Sequence, residues 1–270
     1  MTAVDTPITT TGDLLEVIRH AATSSPRSLQ RAIGPSGVGT NCTRRLALQL
    51  LEAPQHNTTA DKWPATVGVA VHAWLADAFN ADNAARVAAG QAPRWLTEQQ
   101  VTIRTGLSGS CDLLDLQTMT VVDHKTVGVA NLRKYRANGH PGQQYETQLM
   151  LYGMGWVNAG LPIRTVAVIF YPRSGVLRDS WMWTAPYDPA IAIAALDRMD
   201  SILAAANVAE HAGGLDELMR VLPRETSMCQ HCDFYTADRS VAPSQGCNGP
   251  LEDPDWTPPE PQSVAGFLGI

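Results

Sequence analysis

Asp112, Asp123 and Lys125 are the residues of this sequence whose types and spacing best suit hydrolytic chemistry. In Met119-Thr120-Val121-Val122-Asp123-His124-Lys125 the two-residue period of a strand puts Val121, Asp123 and Lys125 on one face and Val122 and His124 on the other. Asp and Lys are poor strand formers, so two of them at the end of a β-branched run need a reason. A preceding strand-like segment carries Asp112. If the turn is centred on Gln117-Thr118, Leu116 faces Met119, and counting outward sets Asp112 directly across from Asp123. Two carboxylates about 5 Å apart on one face repel, and a divalent cation between them reverses that sign. Mg²⁺ or Mn²⁺ suits hard oxygen ligands with open water positions. Such an ion acidifies a water and stabilises charge on a phosphate, while Lys125 can orient the water or neutralise developing negative charge. The Asp-x-Lys triplet is common, and taken alone it reads better as a solvent-facing hairpin with ordinary surface charges.

The cysteines form a second group. Cys229-Gln230-His231-Cys232 is a C-x-x-C, and Cys247 follows in a Pro-rich, polar segment beginning near residue 227. That segment has too little apolar periodicity to build its own core, so something else must pin it. In a cytosolic chain this pattern reads as metal rather than disulfide. Zinc would need a fourth ligand, and His231 is poorly placed inside the loop to be one. The other candidate is Cys42, within Asn41-Cys42-Thr43-Arg44-Arg45. Cys111, beside Asp112, should point to the opposite face of its strand as a small core residue.

The elements that must position these groups follow from periodicity and breakers. Helical patterns cover residues 13–23, 28–33 and 42–52, and residues 53–65 read as a linker. A long Ala-rich helix over 66–89 has apolar positions Val67, Ala70, Val71, Trp74, Leu75 and Ala78 at helical spacing and stops at Gly90, where a left-handed cap is expected. Strands are expected at 98–105, 109–116 and 119–125, then a basic loop, a helix over 143–159, strands at 164–171 and 177–184, and helices over 189–211 and 215–221. Helix, three strands, helix, strand implies α/β architecture with a mixed sheet flanked by helices.

At 270 residues, 44% hydrophobic and 17% charged, the chain can bury one sizeable core with appendages and is neither disordered nor membranous. Its longest apolar runs, such as residues 166–171, fall far short of the ~20 residues of a membrane span. The Thr-rich start has no basic segment leading into an apolar one, so a cytoplasmic location is expected. A net charge of -6 argues against a broad basic surface that coats duplex DNA, but leaves room for a locally basic groove. Arg27, Arg31, Arg44 and Arg45, and Arg133, Lys134 and Arg136, are the residues available for one. Lys62, Lys125 and Lys134 are the only lysines, which makes a compact ammonium at 125 informative. Gly34-Pro35-Ser36-Gly37-Val38-Gly39-Thr40 superficially matches a phosphate-binding loop, but it lacks the lysine and the preceding strand. A flexible turn leading to Cys42 is expected there, and no ATPase. Trp181 and Trp183 share a strand face and read as core or interface.

Gly109-Ser110-Cys111-Asp112 followed by Val121-Val122-Asp123-His124-Lys125-Thr126 resembles the G-x-x-D…(D/E)-x-K-T signature of RecB-like PD-(D/E)XK nucleases. Three further matches fall in order: Gly68-Val69-Ala70-Val71-His72 resembles that family's G-x-x-x-H helix, Glu98 sits where a strand glutamate often precedes the first motif, and Gln148-Leu149-Met150-Leu151-Tyr152 resembles its Q-x-x-x-Y helix. The resemblance spans roughly residues 39 to 247. It implies a restriction-endonuclease-like core of order αβββαβ over residues 66–185, after an N-terminal helical region over 1–65 and before C-terminal helices and a cysteine-rich tail over 186–270. It also implies that His72, Asp112, Asp123 and the main-chain carbonyl of His124 hold Mg²⁺ or Mn²⁺, that Asp112, Asp123 and Lys125 are catalytic, and that Gln148 and Tyr152 lie near the substrate backbone. Gln144, one turn before Gln148, would extend that face. An N-terminal Cys with a C-terminal C-x-x-C…C resembles the iron–sulfur branch, namely AddB-type nucleases and CRISPR-associated exonucleases of the fourth Cas family with their phage relatives. Cys42, Cys229, Cys232 and Cys247 would then hold a [4Fe–4S] cluster. The gap from Cys232 to Cys247 is longer than is usual there, which keeps zinc as the alternative. The implied activity is a DNA exonuclease acting on single strands or ends, in recombination, repair or CRISPR adaptation. The other reading is a DNA-end-binding module serving a helicase or recombination protein without cutting; an oligomer is compatible with either.

Overall fold

A computed structural model describes residues 11–23, 33–57 and 62–252. Five strands form one sheet in the order β1 (Trp95–Arg104), β2 (Leu107–Asp115), β3 (Thr120–Val127), β4 (Thr165–Pro172) and β5 (Trp181–Pro186). Only β3 and β4 run parallel, joined by a crossover through α5 (Val129–Asn138) and α6 (Gln143–Asn158). The sheet is therefore mixed and flanked by helices, with the αβββαβ order expected from the sequence. No described helix is long and apolar enough to cross a membrane.

Helix α6 is the central support. Its residues from Thr147 to Gly153 are all buried, because three glycines let backbones approach where a Cβ would collide. A Cβ on Gly153 would lie 2.5 Å from the Tyr187 ring and one on Gly155 2.8 Å from Val101. On β2, a Cβ on Gly109 would lie 2.7 Å from Pro35 and 3.2 Å from Tyr152. One continuous core runs from Val38, Leu46 and Leu48 through Leu149, Leu151 and Val168 to Phe234 and Cys247. The tail is pinned as its composition demands. Asp233 O accepts from the main-chain N–H groups of His56 and Asn57 at 2.8 and 3.0 Å, and Gln230 O accepts from the Asn57 side chain at 2.9 Å.

Several elements differ from expectation for physical reasons. The expected basic loop contains α5, which has only Leu132 buried and so lacks the apolar stripe that marks a helix; Gly139, at φ 62°, ends it in the left-handed cap. The expected flexible turn at 34–40 is a short packed helix, α2 (Pro35–Val38), with Pro35 and Val38 buried and Gly39 so close to α6 that a Cβ would meet the Gln144 carbonyl at 2.5 Å. Helix α4 (Trp63–Ala88) starts earlier than expected because Pro64 occupies a position where its missing N–H costs nothing. The fifth strand is shorter at its start, with residues Leu177–Asp179 forming a 3₁₀ turn. Helix α1 (Thr11–Thr23) matches the first pattern, while the helix expected over 28–33 lies outside the described residues except Ile33. Helices α3 (Thr43–Leu50), α7 (Pro189–His211) and α8 (Leu215–Val221) agree with the sequence pattern.

Candidate active site

The register of the β2–β3 hairpin is the one obtained by counting from the turn: Asp115 pairs with Thr120, Leu114 with Val121 and Leu113 with Val122. The ladder then stops, one position short of Asp112 and Asp123. On the other side of β2, Thr97 pairs with Leu113 and Gln99 with Cys111, but the intervening Glu98–Asp112 position makes no ladder pair. Glu98 has φ 50°, a left-handed backbone that costs a non-glycine residue about 1–3 kcal/mol and gathers at functional sites. Both ladders flanking Asp112 thus break at Asp112. Its carboxylate takes over the work of a missing backbone acceptor, with Oδ2 accepting from the His124 N–H at 2.7 Å. Cys111, its neighbour, is buried in the core as expected, and burial pushes its thiol up to about 12.

His72 arrives from α4. Its Nδ1 lies 3.3 Å from Asp112 Oδ1 and 3.9 Å from Glu98 Oε1, and one ligand atom from each of His72, Glu98 and Asp112 falls within 4.8 Å of the others. Gly68, one turn before His72, brings this helix onto the sheet, its missing Cβ facing Thr126 Oγ1 at 3.5 Å. The His124 ring packs between elements: it stacks on Phe79 with centroids 5.8 Å apart, and its Nδ1 is 3.2 Å from the Tyr171 hydroxyl. Burial keeps this imidazole neutral, down to about 4. That ring belongs to the scaffold.

Asp123 is 2% exposed. Its Oδ1 accepts from Gln148 Nε2 at 2.9 Å, and its Oδ2 is 2.7 Å from the Lys125 ammonium, an ion pair whose angle leaves that oxygen without a well-directed hydrogen bond. Lys125 in turn sits 5.5 Å from the Tyr145 ring centre. The electrostatics separate the two aspartates. Burial pushes the Asp123 carboxyl up to about 6, aided by the charge of Asp112 and opposed by Lys125. Burial also works against the Asp112 carboxylate, but His72, Lys125 and the His124 N–H outweigh it and hold that group below its ordinary value. His72 is raised: burial disfavours its charge, and Asp112 overcomes that. A buried negative pair facing one lysine and one histidine is the donor set a hard divalent cation fits, and the close approach of His72, Glu98 and Asp112 supports such a fit. Sequence reasoning left Glu98 without a role. Its signal was position, since it precedes Cys111-Asp112 on the paired strand, but the break in register could not be read from spacing.

Gln148 and Tyr152 stand elsewhere than on an open substrate face. They are 4% and 6% exposed, Gln148 engaging Asp123 and Tyr152 packing against Gly109. Gln144 is more open, donating to Ser36 O at 3.1 Å.

Cys42, Cys229, Cys232 and Cys247 all line one cavity of about 460 Å³, with Arg45, Lys134, Arg224 and Tyr145 among its other walls. Cys42 caps α3, its Sγ accepting from Arg45 N at 3.4 Å. Cys247 Sγ accepts from Gly249 N at 3.3 Å and lies 3.8 Å from the fully buried Arg44 guanidinium. Gly249 has φ 58°, and a Cβ there would come within 2.9 Å of Cys229 Sγ. Burial and then the other three thiols push Cys229 up to about 12.

No protein-family model matches this chain, and no curated protein matches it. Among solved structures it is similar to an alkaline exonuclease from Laribacter hongkongensis at 15% identity, over 70% of this chain and 92% of that one, with a TM-score of 0.42. It is similar to the protein SSO0001 at 13% identity, over 87% and 98% of the two chains, with a TM-score of 0.48. A phage-related exonuclease from Haemophilus somnus 129PT is similar at 11% identity over 47% of this chain and 66% of that one, with a TM-score of 0.31.

Proposed function

We propose that this protein is a metal-dependent deoxyribonuclease that hydrolyses phosphodiester bonds in single-stranded DNA or at DNA ends, with an iron–sulfur cluster clipping its tail to its N-terminal helices. The observation that carries the reading is the convergence of His72, Glu98, Asp112, Asp123 and Lys125 at the point where both β2 ladders break. His72, Asp112, Asp123 and the His124 carbonyl, joined by Glu98, would hold Mg²⁺ or Mn²⁺. When bound, the ion supplies the positive charge that acidifies a water and makes the phosphodiester electrophilic. Lys125 would orient the attacking water and receive the negative charge that builds on the phosphate. Its partner Asp123 keeps the ammonium aimed into the site. Tyr145 borders both Lys125 and the cysteine cavity, so the two centres are neighbours. The four thiols of Cys42, Cys229, Cys232 and Cys247 would carry a [4Fe–4S] cluster.

The test is degradation of end-labelled single-stranded DNA by anaerobically purified protein with Mn²⁺, comparing wild type with Asp123→Ala and recording the visible absorption of both. Brown, active wild type beside a brown, inactive variant is expected. Equal activity in the two would overturn the nuclease assignment, and colourless protein would overturn the cluster.

A further inference from the structure

We propose that Gln148 is a positioning residue for the Asp123 carboxylate, not a contact for the DNA strand, so that this glutamine sets the affinity of the site for its divalent ion. The inference rests on the nuclease reading of the site. Gln148 is 4% exposed, and its Nε2 is committed to Asp123 Oδ1 at 2.9 Å. An amide so enclosed cannot reach a strand in an open groove without abandoning that bond and leaving a buried carboxylate oxygen unsatisfied, which is costlier than never making the bond. Helix α6 cannot roll to release it, because the residues on either side are buried and Gly153 and Gly155 seat the helix against Tyr187 and Val101 with no room for a Cβ. The same close seating brings an amide of limited reach to Asp123 at all.

The chemistry of the donor also matters. Asp123 is held on both oxygens, by Gln148 on one and by Lys125 on the other. Lys125 brings a positive charge that competes with a cation for the carboxylate. Gln148 fixes the carboxylate plane without adding charge, so it orients a ligand while leaving its negative charge for the metal. Outer partners of this kind commonly govern metal affinity.

Gln148→Met keeps the length and buried volume and removes the donor. In calorimetric titration without DNA, its Mn²⁺ affinity is expected to fall about 10- to 100-fold, while its affinity for single-stranded DNA in EDTA stays at the wild-type value. Cleavage should recover as Mn²⁺ is raised, a rescue that loss of a strand contact would not show. An unchanged Mn²⁺ isotherm, or weakened DNA binding with cleavage that added Mn²⁺ does not restore, would overturn the proposal. If Gln148→Met melts early by circular dichroism, Gln148→Asn, which keeps a buried amide but draws it back from Asp123, decides by the same pair of isotherms, with weakened Mn²⁺ binding and unchanged DNA binding expected. Should wild type itself take up no Mn²⁺ beyond Asp123→Ala, the nuclease reading falls; if wild type binds and Gln148→Met binds equally, only the positioning role falls.

Discussion

The carboxylate site and the cysteine cavity are neighbours across Tyr145, yet they are built by opposite means. The first draws its residues from regular elements: His72 from α4, Glu98, Asp112 and Asp123 from three adjacent strands, Gln148 from α6. Each side chain is aimed by helical or strand geometry, then re-aimed by a local break at Asp112. The second draws Cys42 from a helix cap and three sulfurs from a segment with little regular structure, held by main-chain bonds such as Cys247 N to Phe234 O at 2.9 Å. Polarity differs as well. Strands can hold like charges together because the sheet is stabilised elsewhere, so the first site can exist before its metal. The tail has few apolar groups of its own beyond Phe234 and Cys247, so a group bound at the second site is expected to stabilise the local fold.

That contrast can be broken by experiment. The largest effect is expected from Asp123→Ala: cleavage should fall roughly a thousandfold, the scale of several kcal/mol of lost charge stabilisation. Its thermal midpoint and visible absorption should stay close to wild type. Cys232→Ala should do the reverse first. Loss of iron, read by metal analysis, should lower Tm by on the order of 10 °C and open the 227–252 segment to protease. Equal melting of the two variants would erase the distinction between a site laid on a scaffold and a site that is part of one.

Acidity sharpens the comparison further. Asp123 and His72 both hold a proton more tightly than usual, Asp123 to about 6 and His72 above 6.5. Metal must displace those protons, so Mn²⁺ affinity is expected to drop as pH falls, by about tenfold per unit for each group protonated, and so most steeply below 6, where both are. The sign follows from the raised values: the ligating, deprotonated forms are lost on acidification. Titrations at pH 8 and pH 5.5 check it, and a flat profile would mean that neither group binds the ion. The smallest effect belongs to Glu98→Gly. Removing a side chain from φ 50° relieves about 1 kcal/mol of strain, so Tm should hold or rise while Mn²⁺ affinity weakens. A variant both less stable and equally avid for metal would show that the strained backbone serves packing instead.

Much of the architecture was legible in the residues because it obeys short periods. The two-residue alternation around Asp123 and the position of the turn gave the register observed for Asp115, Leu114 and Leu113 against β3. Helix α5 was hidden because its polar surface leaves no apolar stripe, and α2 because four residues are too few for periodicity. Glu98 was visible as a carboxylate on a strand, but its left-handed backbone goes with the break in the β1–β2 ladder, which spacing does not reveal. The roles of Gln148 and Tyr152 read differently once their burial was known, since an i, i+4 pair looks the same on an open face and a closed one.

The sequence by itself determined which residues share a strand face and where the long, amphipathic helices lie, because these follow from local sterics and from the spacing of apolar residues. Only the tertiary structure decided how deeply α6 is seated, and with it that Gln148 meets Asp123 and not solvent. It also decided that four cysteines separated by up to 205 positions share one cavity. Depth and long-range closure are set by the packing of the whole core, and no short stretch of chain encodes them.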